Sequence, residues 1–327
     1  MTRWKLALII PNFMKNRPRR YVLYLLLRAG MAVTESLPRR AALFFGRILG
    51  RSAYYLVARQ RNKVLKNLRF AWRSEKTEQE IRAIARKVFE NLAMTAVDAI
   101  LLPRLSKDTL RDWVSFDEEF TRANRILDQG RGVVILTGHI GNWEVLAGAF
   151  GVMGYYAAVV GRRIYYEKYN QIIIRLRESV RIRTIYRDSS PKEMLRVLKN
   201  NHILGMLADQ DVESVGGIFV DFFGHPAYTP TSPVKLAMAA ETALVPAFCI
   251  REGDHYRLIL EEPMYPEEVR GSQEDAVREF TERWSAIVER TIRQYPEQWV
   301  WMHDRWKTSP PPETLTQDSL KKVRVDG

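Results

Sequence analysis

The chain has 327 residues, 46% of them hydrophobic, and this length and apolar content predict a globular protein with one large α/β domain or two small ones. A single cysteine excludes a disulfide framework within the chain and any cysteine-rich metal site. The net charge of +13 is uneven: residues 1–73 hold 17 Lys and Arg against one acid and the remaining residues have a net charge of −3, which predicts a basic attachment region on a nearly neutral body.

The basic region contains an apolar run, Tyr21–Leu27, that continues past Arg28 through residues 29–33. A membrane-spanning helix needs about 20 apolar residues, and this run is shorter and is interrupted by a charge. The sequence therefore leaves open whether the run spans a membrane or lies on one. It lacks the small-residue cleavage site that is typical of a secretory signal.

A second segment, residues 43–57, is amphipathic and cationic, because Arg40, Arg47 and Arg51 fall on one helical stripe beside aromatic residues. Such helices lie in the headgroup region of anionic membranes. Nucleic acid would attract the same charge, but DNA-binding elements keep their basic residues in polar surroundings rather than among Leu and Phe. Residues 1–73 are therefore predicted to form a helical, membrane-associating region on an anionic surface, with no nucleic-acid partner.

Beyond residue 73, helical and strand patterns alternate. Apolar spacing predicts a helix over residues 77–101, with a capping box at Thr77 and Glu80, and a helix over residues 117–127, with Asp117 as its N-cap. A strand over residues 132–136 comes next. The further predicted strands are 156–161, 182–186, 203–208, 217–221, 243–250 and 255–260, and the further helices are 142–153, 166–181, 191–199, 231–241 and 272–294.

This alternation predicts an α/β fold with a mixed, mostly parallel sheet flanked by helices on both faces. The sheet is mixed because Glu252-Gly253-Asp254 is typical of a hairpin turn between the last two strands. We expect the α/β domain to cover residues 74–308. The polar, proline-rich residues 309–327 are predicted to be a disordered tail.

The most informative stretch is Val133–Glu144, which runs from a buried strand through His139 on a turn into the start of a helix. The carboxylate of Glu144 is expected to fold back and hold one ring nitrogen of His139 while the other nitrogen faces a substrate. That is the arrangement of a general base with its orienting acid. A histidine that only caps the turn and binds a core carbonyl is the structural alternative.

Two further expectations concern the same turn. His139 and Glu144 are five residues apart, which excludes a pair of metal ligands on one helical face, and neither a metal nor another cofactor is expected. The backbone amides of Gly141, Asn142 and Trp143 are expected at the positive end of the helix, where an oxyanion or a phosphate is bound.

Polar residues also follow two other predicted strands, at the sheet edge where open α/β sheets bind ligands. Arg162 follows the strand 156–161, and Asp209 and Asp211 follow the strand 203–208. Arg162 is expected to bind a phosphate or an oxyanion, with one of the aspartates as its partner. A surface arginine and ordinary turn aspartates are the plainer alternatives. Thr231 and Ser232 are interpreted as helix caps.

The segment Pro296–Lys307 is aromatic and basic, and Trp299 and Trp301 alternate as if they pack on one face. His303 is a weaker candidate base than His139, because no carboxylate stands near it in a turn-to-helix arrangement. The G-x-S-x-G, G-x-x-x-x-G-K-[ST], G-x-G-x-x-G and C-x-x-C motifs are absent, which disfavours nucleotide hydrolases and the usual serine hydrolases.

These segments together resemble the bacterial late acyltransferases of lipid A biosynthesis, within the wider glycerolipid acyltransferase superfamily. The resemblance covers nearly all of the chain from about residue 20 to residue 308. It is carried by residues 138–144, by Asn67-Leu68, by Asp209-Gln210-Asp211, by Val220–Gly224 and by Pro296–Lys307.

The resemblance implies transfer of a fatty acyl group from acyl carrier protein to a hydroxyl of a lipid A precursor, at the cytoplasmic face of the inner membrane. In that chemistry His139 deprotonates the hydroxyl, Glu144 orients and charge-stabilises His139, and the alkoxide attacks the thioester directly. Arg162 matches a family arginine that follows the second strand and is assigned to oxyanion or phosphate binding. Asp209 is carried over as its partner or as a substrate contact.

Other functions stay open at this point. The acceptor can be another glycolipid, such as a phosphatidylinositol mannoside, and the donor can be coenzyme A instead of acyl carrier protein. A lipid-binding protein that keeps the fold without catalysis is the alternative from a different class.

Overall fold

Four helices open the described part of the chain, which comprises residues 18–265 and 271–311 of a computed structural model. They are α1 (Pro18–Ser36), α2 (Arg39–Leu56), α3 (Ala58–Trp72) and α4 (Glu78–Ile100). Thr77 and Glu80 form the predicted capping box at the start of α4. A glycine lets α2 and α4 pack closely, since a Cβ atom on Gly50 would lie 2.4 Å from the carbonyl oxygen of Phe89.

The body is an α/β fold around a mixed sheet, as predicted. Within the described residues the sheet has seven strands in the order β1-β9-β8-β2-β5-β3-β4, and every neighbouring pair is parallel except β8–β9. The strands are β1 (Val114–Ser115), β2 (Val133–Thr137), β3 (Ala157–Gly161), β4 (Ile182–Tyr186), β5 (Ile203–Leu207), β8 (Ala243–Glu252) and β9 (His255–Leu260). The helices that follow α4 are α5 (Leu110–Trp113), α6 (Glu119–Leu127), α7 (Trp143–Val152), α8 (Glu167–Ser179), α9 (Pro191–Lys199), α10 (Ser232–Ala240) and α11 (Gln273–Gln294).

Helices cover both faces of the sheet. Successive side chains of a strand point to opposite faces, so one strand contributes to two buried clusters. Val134 and Leu136 of β2 belong to a buried cluster with side chains from α3, α4, α9, α10 and α11. Val133 and Ile135 belong to a second cluster, with side chains from α2, α6 and α7. The continuous apolar run of β2 therefore reflects burial on both faces.

Two predictions about this region were wrong, and one strand was not predicted. The predicted strand 217–221 is confirmed as β6 (Gly217–Phe222), which pairs with the unpredicted strand β7 (His225–Pro230) in a separate antiparallel hairpin. Asp117 does not cap α6, which begins at Glu119 with Glu118 in the cap position. Thr231 stands at the cap position of α10 without a side-chain capping bond, and its hydroxyl donates to the carbonyl of Gly216 instead.

Helices α1 and α2 expose an unusually apolar surface. Leu49 is 67% exposed and Leu56 is 82% exposed. None of the helices in residues 18–265 and 271–311 is long and apolar enough to cross a membrane. The predicted tail lies outside the described residues from position 312 onward, as do residues 1–17 of the basic region. The exposed apolar side chains of α1 and α2 include Leu23, Leu25, Leu26, Val33, Phe44, Phe45, Ile48, Leu49, Tyr55 and Leu56.

Candidate active site

The register between two neighbouring strands decides the position of His139. β2 and β5 are parallel partners, with Thr137 opposite Leu207. His139 and Asp209 each follow that pair by two residues, so they emerge side by side at the carboxyl edge of the sheet. Gly138 permits this close approach, since a Cβ atom there would lie 3.1 Å from Oδ2 of Asp209. The fold thus brings together two residues that are 70 positions apart in the chain.

The carboxylate of Asp209 holds both the backbone and the ring of His139. Its Oδ2 accepts from the backbone N–H of His139 at 2.7 Å and from the indole Nε1–H of Trp299 at 2.8 Å. Its Oδ1 lies 2.8 Å from Nδ1 of the His139 ring. Because a carboxylate only accepts, Nδ1 carries the proton and the lone pair of the neutral imidazole is on Nε2. This is the tautomer that a general base needs.

Asp209 is buried and nevertheless stays ionised. Burial by itself would raise the pKa of its carboxyl, but the charge of His139 and the hydrogen bonds from the His139 ring, Trp299 and the His139 amide together lower that pKa well below its ordinary value. Asp209 is therefore a permanent carboxylate that favours the imidazolium form of His139 during a reaction.

Glu144 does not have the predicted position beside the ring. Its carboxylate accepts from Nε of Arg177 at 2.8 Å and from Nη2 of Arg177 at 2.6 Å, in a bidentate pair. Burial lowers the pKa of Arg177, but the bonds and charge of Glu144 outweigh it, so the net shift is upward. The orienting carboxylate at Nδ1 is thus Asp209, and the expectation that Glu144 folds back onto His139 was wrong.

The turn after His139 is fixed by the segment 298–300. The N–H of Val300 donates to the carbonyl of His139, and the N–H of Gly141 donates to the carbonyl of Gln298. Gly141 has a φ of +63°, and a Cβ atom there would lie 2.1 Å from the carbonyl oxygen of Cys249, so only glycine fits.

Two of the three backbone amides of the predicted anion site, those of Gly141 and Asn142, already donate to protein carbonyls. The N–H of Gly141 is bonded to Gln298, and the N–H of Asn142 donates to Cys249. The side chain of Asn142 caps α7 by accepting from the N–H groups of Glu144 and Val145. Its Nδ2 donates to the hydroxyl of the buried Tyr256 at 2.9 Å. Gly141 and Asn142 therefore build the turn, and their amides are not open to an anion as predicted.

A second histidine lies beside the first, with Gln210 between them. The amide nitrogen of Gln210 is 2.9 Å from Nδ1 and 3.1 Å from Nε2 of His139, and it is 2.5 Å from Nε2 of His303. The two imidazole centroids are 5.2 Å apart. Burial, together with the nearby charge of His139, lowers the pKa of His303 to about 4, so this ring is neutral at neutral pH.

The other two predicted binding residues lie apart from the His139 ring. Arg162 is exposed just after β3 and does not pair with Asp209. Asp211 accepts from the N–H and the hydroxyl of Thr308, both at 2.9 Å, so it fastens the end of the described C-terminal segment. The expected pairing of Arg162 with Asp209 was wrong, and substrate binding by Arg162 and Asp211 stays a prediction.

A narrow apolar slot lies between the sheet and α7. Trp143 is one of its lining residues, and the ring centroid of Trp143 is 4.9 Å from that of His139. The free volume is about 30 Å³. Small residues line the slot where it passes over the strands, and larger apolar ones close it. The lining residues are Ile135, Thr137, Trp143, Leu146, Ala147, Phe150, Ala157, Ala158, Val159, Ile182, Ile203, Gly205 and Leu207.

Comparison with known protein families identifies the family of this chain. Residues 12–308 match the sequence profile of the family described as bacterial lipid A biosynthesis acyltransferase. The chain belongs to that family. The match includes all of the strands and helices that build the His139 site.

Individual relatives in and around the family are distant in sequence. The chain is 28% identical over 272 residues to the lipid A biosynthesis lauroyltransferase of Escherichia coli, which covers 80% of this chain and 84% of that protein. It is 25% identical over 283 residues to the lipid A biosynthesis palmitoleoyltransferase of the same organism, covering 84% and 87%. A phosphatidylinositol mannoside acyltransferase of Mycolicibacterium smegmatis is 29% identical over 185 residues, which is 55% of this chain and 58% of that protein.

Three residues of this site are not predicted by the sequence patterns. Arg177 lies inside an amphipathic helix, where nothing distinguishes it from the surface arginines around it. Gln210 was noticed only as part of a family signature. Trp299 was interpreted as packing, and it is buried, but its indole N–H was the available signal: a buried tryptophan has to find an acceptor, and this one finds Asp209.

Proposed function

We propose that this protein transfers a fatty acyl group from acyl carrier protein to a hydroxyl of a glycolipid of the lipid A precursor class, at the cytoplasmic face of the inner membrane. The observation that carries the proposal is the His139–Asp209 pair, at 2.8 Å, next to Trp143, which lines an apolar slot. A ring nitrogen that can take a proton is thereby placed where a hydrocarbon chain can enter.

The chemistry follows from the tautomer. Nε2 of His139 takes the proton of the acceptor hydroxyl as its oxygen attacks the thioester carbonyl, and Asp209 stabilises the resulting imidazolium. The carbonyl electron pair moves to oxygen, and when it returns the C–S bond breaks. The departing thiolate takes the proton from Nε2. The transfer therefore needs no covalent enzyme intermediate.

The slot supports a fatty acyl donor. Its walls are almost entirely aliphatic and aromatic, and the thioester end of a chain in it would lie beside Trp143 and His139. A volume of about 30 Å³ holds roughly one water molecule, so binding a chain has to part α7 from the strands. The small side chains at Ala147, Ala158 and Gly205 are where the slot can widen at least steric cost.

A basic helix beside the site supports an acidic carrier as the donor. Asn67 of α3 donates to the carbonyl of His303 at 2.6 Å, and Lys63 pairs with Asp304 at 2.6 Å. The same helix exposes Arg59 and Lys66, and it contains no acidic residue. Such a surface attracts a negatively charged protein to within reach of His139.

The exposed apolar face of α1 and α2 supports attachment to an anionic membrane. Helix α1 packs on the start of α8, where Lys168 lies 4.3 Å from the ring centroid of Tyr21 and the hydroxyl of Tyr169 donates to the carbonyl of Arg20. The start of α8 follows the strand end at Arg162, so this face adjoins the edge of the sheet that carries the site. A lipid acceptor would then reach His139 from the bilayer surface.

A second acceptor class is favoured by one observation, the similarity to a phosphatidylinositol mannoside acyltransferase. Both acceptors are glycolipids with hydroxyls near an anionic headgroup, so the same base and the same slot serve either one. The proposed reaction is the same for both acceptors, and the assay of the purified protein determines which acceptor it uses.

The purified protein is expected to acylate a lipid A precursor in detergent micelles with lauroyl–acyl carrier protein, with the product identified by mass spectrometry. Phosphatidylinositol mannoside as acceptor and lauroyl-coenzyme A as donor complete a set of four pairs. His139→Ala is expected to lower the rate about 10²- to 10⁴-fold, because it removes the base. Failure of all four pairs would contradict the function, and wild-type rates in His139→Ala would contradict the mechanism.

Membrane attachment has its own expected result. Leu49→Ser combined with Leu56→Ser is expected to lower flotation with anionic vesicles about tenfold or more, since two side chains exposed at 67% and 82% leave the lipid-facing surface. Tyr156→Ser is the matched control, because Tyr156 is 76% exposed but precedes β3, at the opposite edge of the sheet. Equal loss in both variants would contradict attachment through α2.

A further inference from the structure

Acyl transfer through His139 needs a hydrogen-bond donor for the oxyanion that forms on the thioester carbonyl. Backbone amides usually supply it. The amides of Gly141 and Asn142 already donate to the carbonyls of Gln298 and Cys249, and the amide of His139 donates to Asp209. These three N–H groups of the motif therefore hold the turn and are not available to the oxyanion.

The side-chain amide of Gln210 has the required position. Its nitrogen is 3.1 Å from Nε2 of His139, the atom that takes the proton, 2.9 Å from Nδ1 of the same ring and 2.5 Å from Nε2 of His303. Because it is almost equally far from both ring nitrogens of His139, it lies against the face of that ring and leaves the in-plane lone pair of Nε2 open to the acceptor hydroxyl. Nδ1 of His139 donates its N–H to Asp209 and cannot accept from Gln210. One N–H of Gln210 can bond Nε2 of His303, and the other is left beside Nε2 of His139.

We propose that Gln210 is the catalytic oxyanion donor and that His303 is the positioning residue that aims its amide. This inference rests on the proposed acyl transfer and adds the group that stabilises its intermediate. The donor lies next to the proton-accepting nitrogen, where the acceptor oxygen and the thioester carbon must meet. A thioester oxygen bonded to that carbon falls within reach of the same amide.

The free N–H of Gln210 is in place before the reaction begins. Nε2 of His139 uses its single lone pair for the proton of the acceptor hydroxyl. As the hydroxyl oxygen attacks, the carbonyl electron pair moves to the thioester oxygen, which accepts the N–H of Gln210. When the pair returns and the C–S bond breaks, the departing thiolate takes the proton from Nε2 and the N–H of Gln210 is free again.

His303 keeps the amide from turning away during the reaction. Its ring is largely buried and neutral, since burial and the charge of His139 lower its pKa to about 4, so its Nε2 can accept a hydrogen bond from Gln210 above that pH. The ring is held in turn through its own backbone, because Asn67 donates to the carbonyl of His303 at 2.6 Å. The N–H of Gln210 that faces His139 therefore remains available to the oxyanion.

The test compares kcat and KM in the acyl-transfer assay described above, with lauroyl–acyl carrier protein as donor. Gln210→Met, which keeps the length of the side chain and removes the donor, is expected to lower kcat about 10²- to 10³-fold with each KM within about threefold. Gln210→Glu also lacks an N–H, and it replaces Met if that variant does not fold. Unchanged kcat in a folded variant, with His139→Ala inactive, would overturn the inference and leave the proposed function intact.

The positioning role has a separate readout. His303→Phe is expected to lower kcat about tenfold with KM unchanged, because Gln210 loses the acceptor that aims it. His303→Gln can accept the same N–H through its side-chain oxygen and is expected to recover most of the rate. Equal loss of kcat in both variants would show that His303 serves only as packing.

Discussion

Asp209→Asn is expected to lower kcat for acyl transfer about 10³- to 10⁴-fold while the protein remains folded. Two donors, the amide of His139 and the indole of Trp299, converge on Oδ2 and require an oxygen there. The carboxamide would therefore turn its NH2 group toward Nδ1 of His139. A donor at Nδ1 selects the tautomer with the proton on Nε2, which has no lone pair for the acceptor hydroxyl. Single-turnover transfer from the acyl thioester measures the loss.

Glu144→Gln is the comparison variant for this prediction. It breaks the ion pair with Arg177 but leaves the contact between Asp209 and His139 in place. The expected loss of kcat is less than about tenfold, since an amide can still bond one guanidinium N–H. If Glu144→Gln lost as much activity as Asp209→Asn, the orienting role would return to Glu144.

The pH profile gives an independent check on Asp209. Its pKa lies below the ordinary value, so the carboxylate is present throughout the neutral range and adds no limb to the kcat profile there. Its contribution to stability is complete above the ordinary pKa of an aspartate and is lost as the pH falls toward the lower folded pKa. A loss of unfolding free energy that sets in above the ordinary pKa of an aspartate and is absent in Asp209→Asn would contradict a permanently ionised Asp209.

Local patterns predicted most elements of the fold, since burial on both faces of the sheet shows directly in the apolar runs. The bounds of β4, α9 and β9 match the predicted segments, and the hairpin turn at residues 252–254 lies where Glu, Gly and Asp indicated it. The β6–β7 hairpin was the exception. Pro226 and Pro230 make the sequence of β7 resemble a loop, because proline is rare inside strands. Both prolines are tolerated here because β7 is an edge strand of a two-stranded hairpin.

The partner of His139 could not be predicted from nearby residues. Sequence distance favoured Glu144, five positions away, whereas the register of β2 against β5 brings in Asp209 from 70 positions away. Strand order in a parallel sheet is a property of the whole core, and a single sequence does not reveal which strand lies beside β2. The position of Asp209 at a strand end was the signal that could have indicated the partner of His139, but Asp209 was paired with Arg162 instead.

Helix capping misled the interpretation in a related way. A helix start normally offers free amides, which suggested an anion site at Gly141 and Asn142. Here the chain bends so sharply that its amides bond Gln298 and Cys249, on segments that follow more than 100 residues later. The turn is therefore hydrogen-bonded to two other segments of the core, one at Gln298 and one at Cys249.

Asp98→Ala is expected to destabilise the protein by about 3–5 kcal/mol, because this fully buried carboxylate holds two arginines at once. Nε of Arg39 lies 2.7 Å from its Oδ1 and Nη2 of Arg251 lies 2.9 Å from its Oδ2. Removing it leaves both guanidinium groups without their carboxylate, and that of Arg251 is almost entirely buried. Urea unfolding of the purified variant measures the loss.

Glu252→Ala supplies the matched control, because Glu252 also pairs with an arginine, Arg257 at 2.9 Å, but both side chains are about half exposed to solvent. Its expected cost is below about 1 kcal/mol. Equal losses in the two variants would show that burial does not set the strength of these pairs.

The Asp98 network also reaches the site. Tyr256 donates to Oδ2 of Asp98 at 2.7 Å and accepts from Nδ2 of Asn142, the residue that caps α7 three positions after His139. Burial and the charge of Asp98 raise the pKa of Tyr256, so its phenol stays protonated and can make both bonds. Arg39 lies on α2, one of the two helices with the exposed apolar face. A folded Tyr256→Phe variant should therefore lose acyl-transfer rate out of proportion to its stability, because the side chain that caps α7 after the His139 turn loses its hydrogen bond to the Asp98 network.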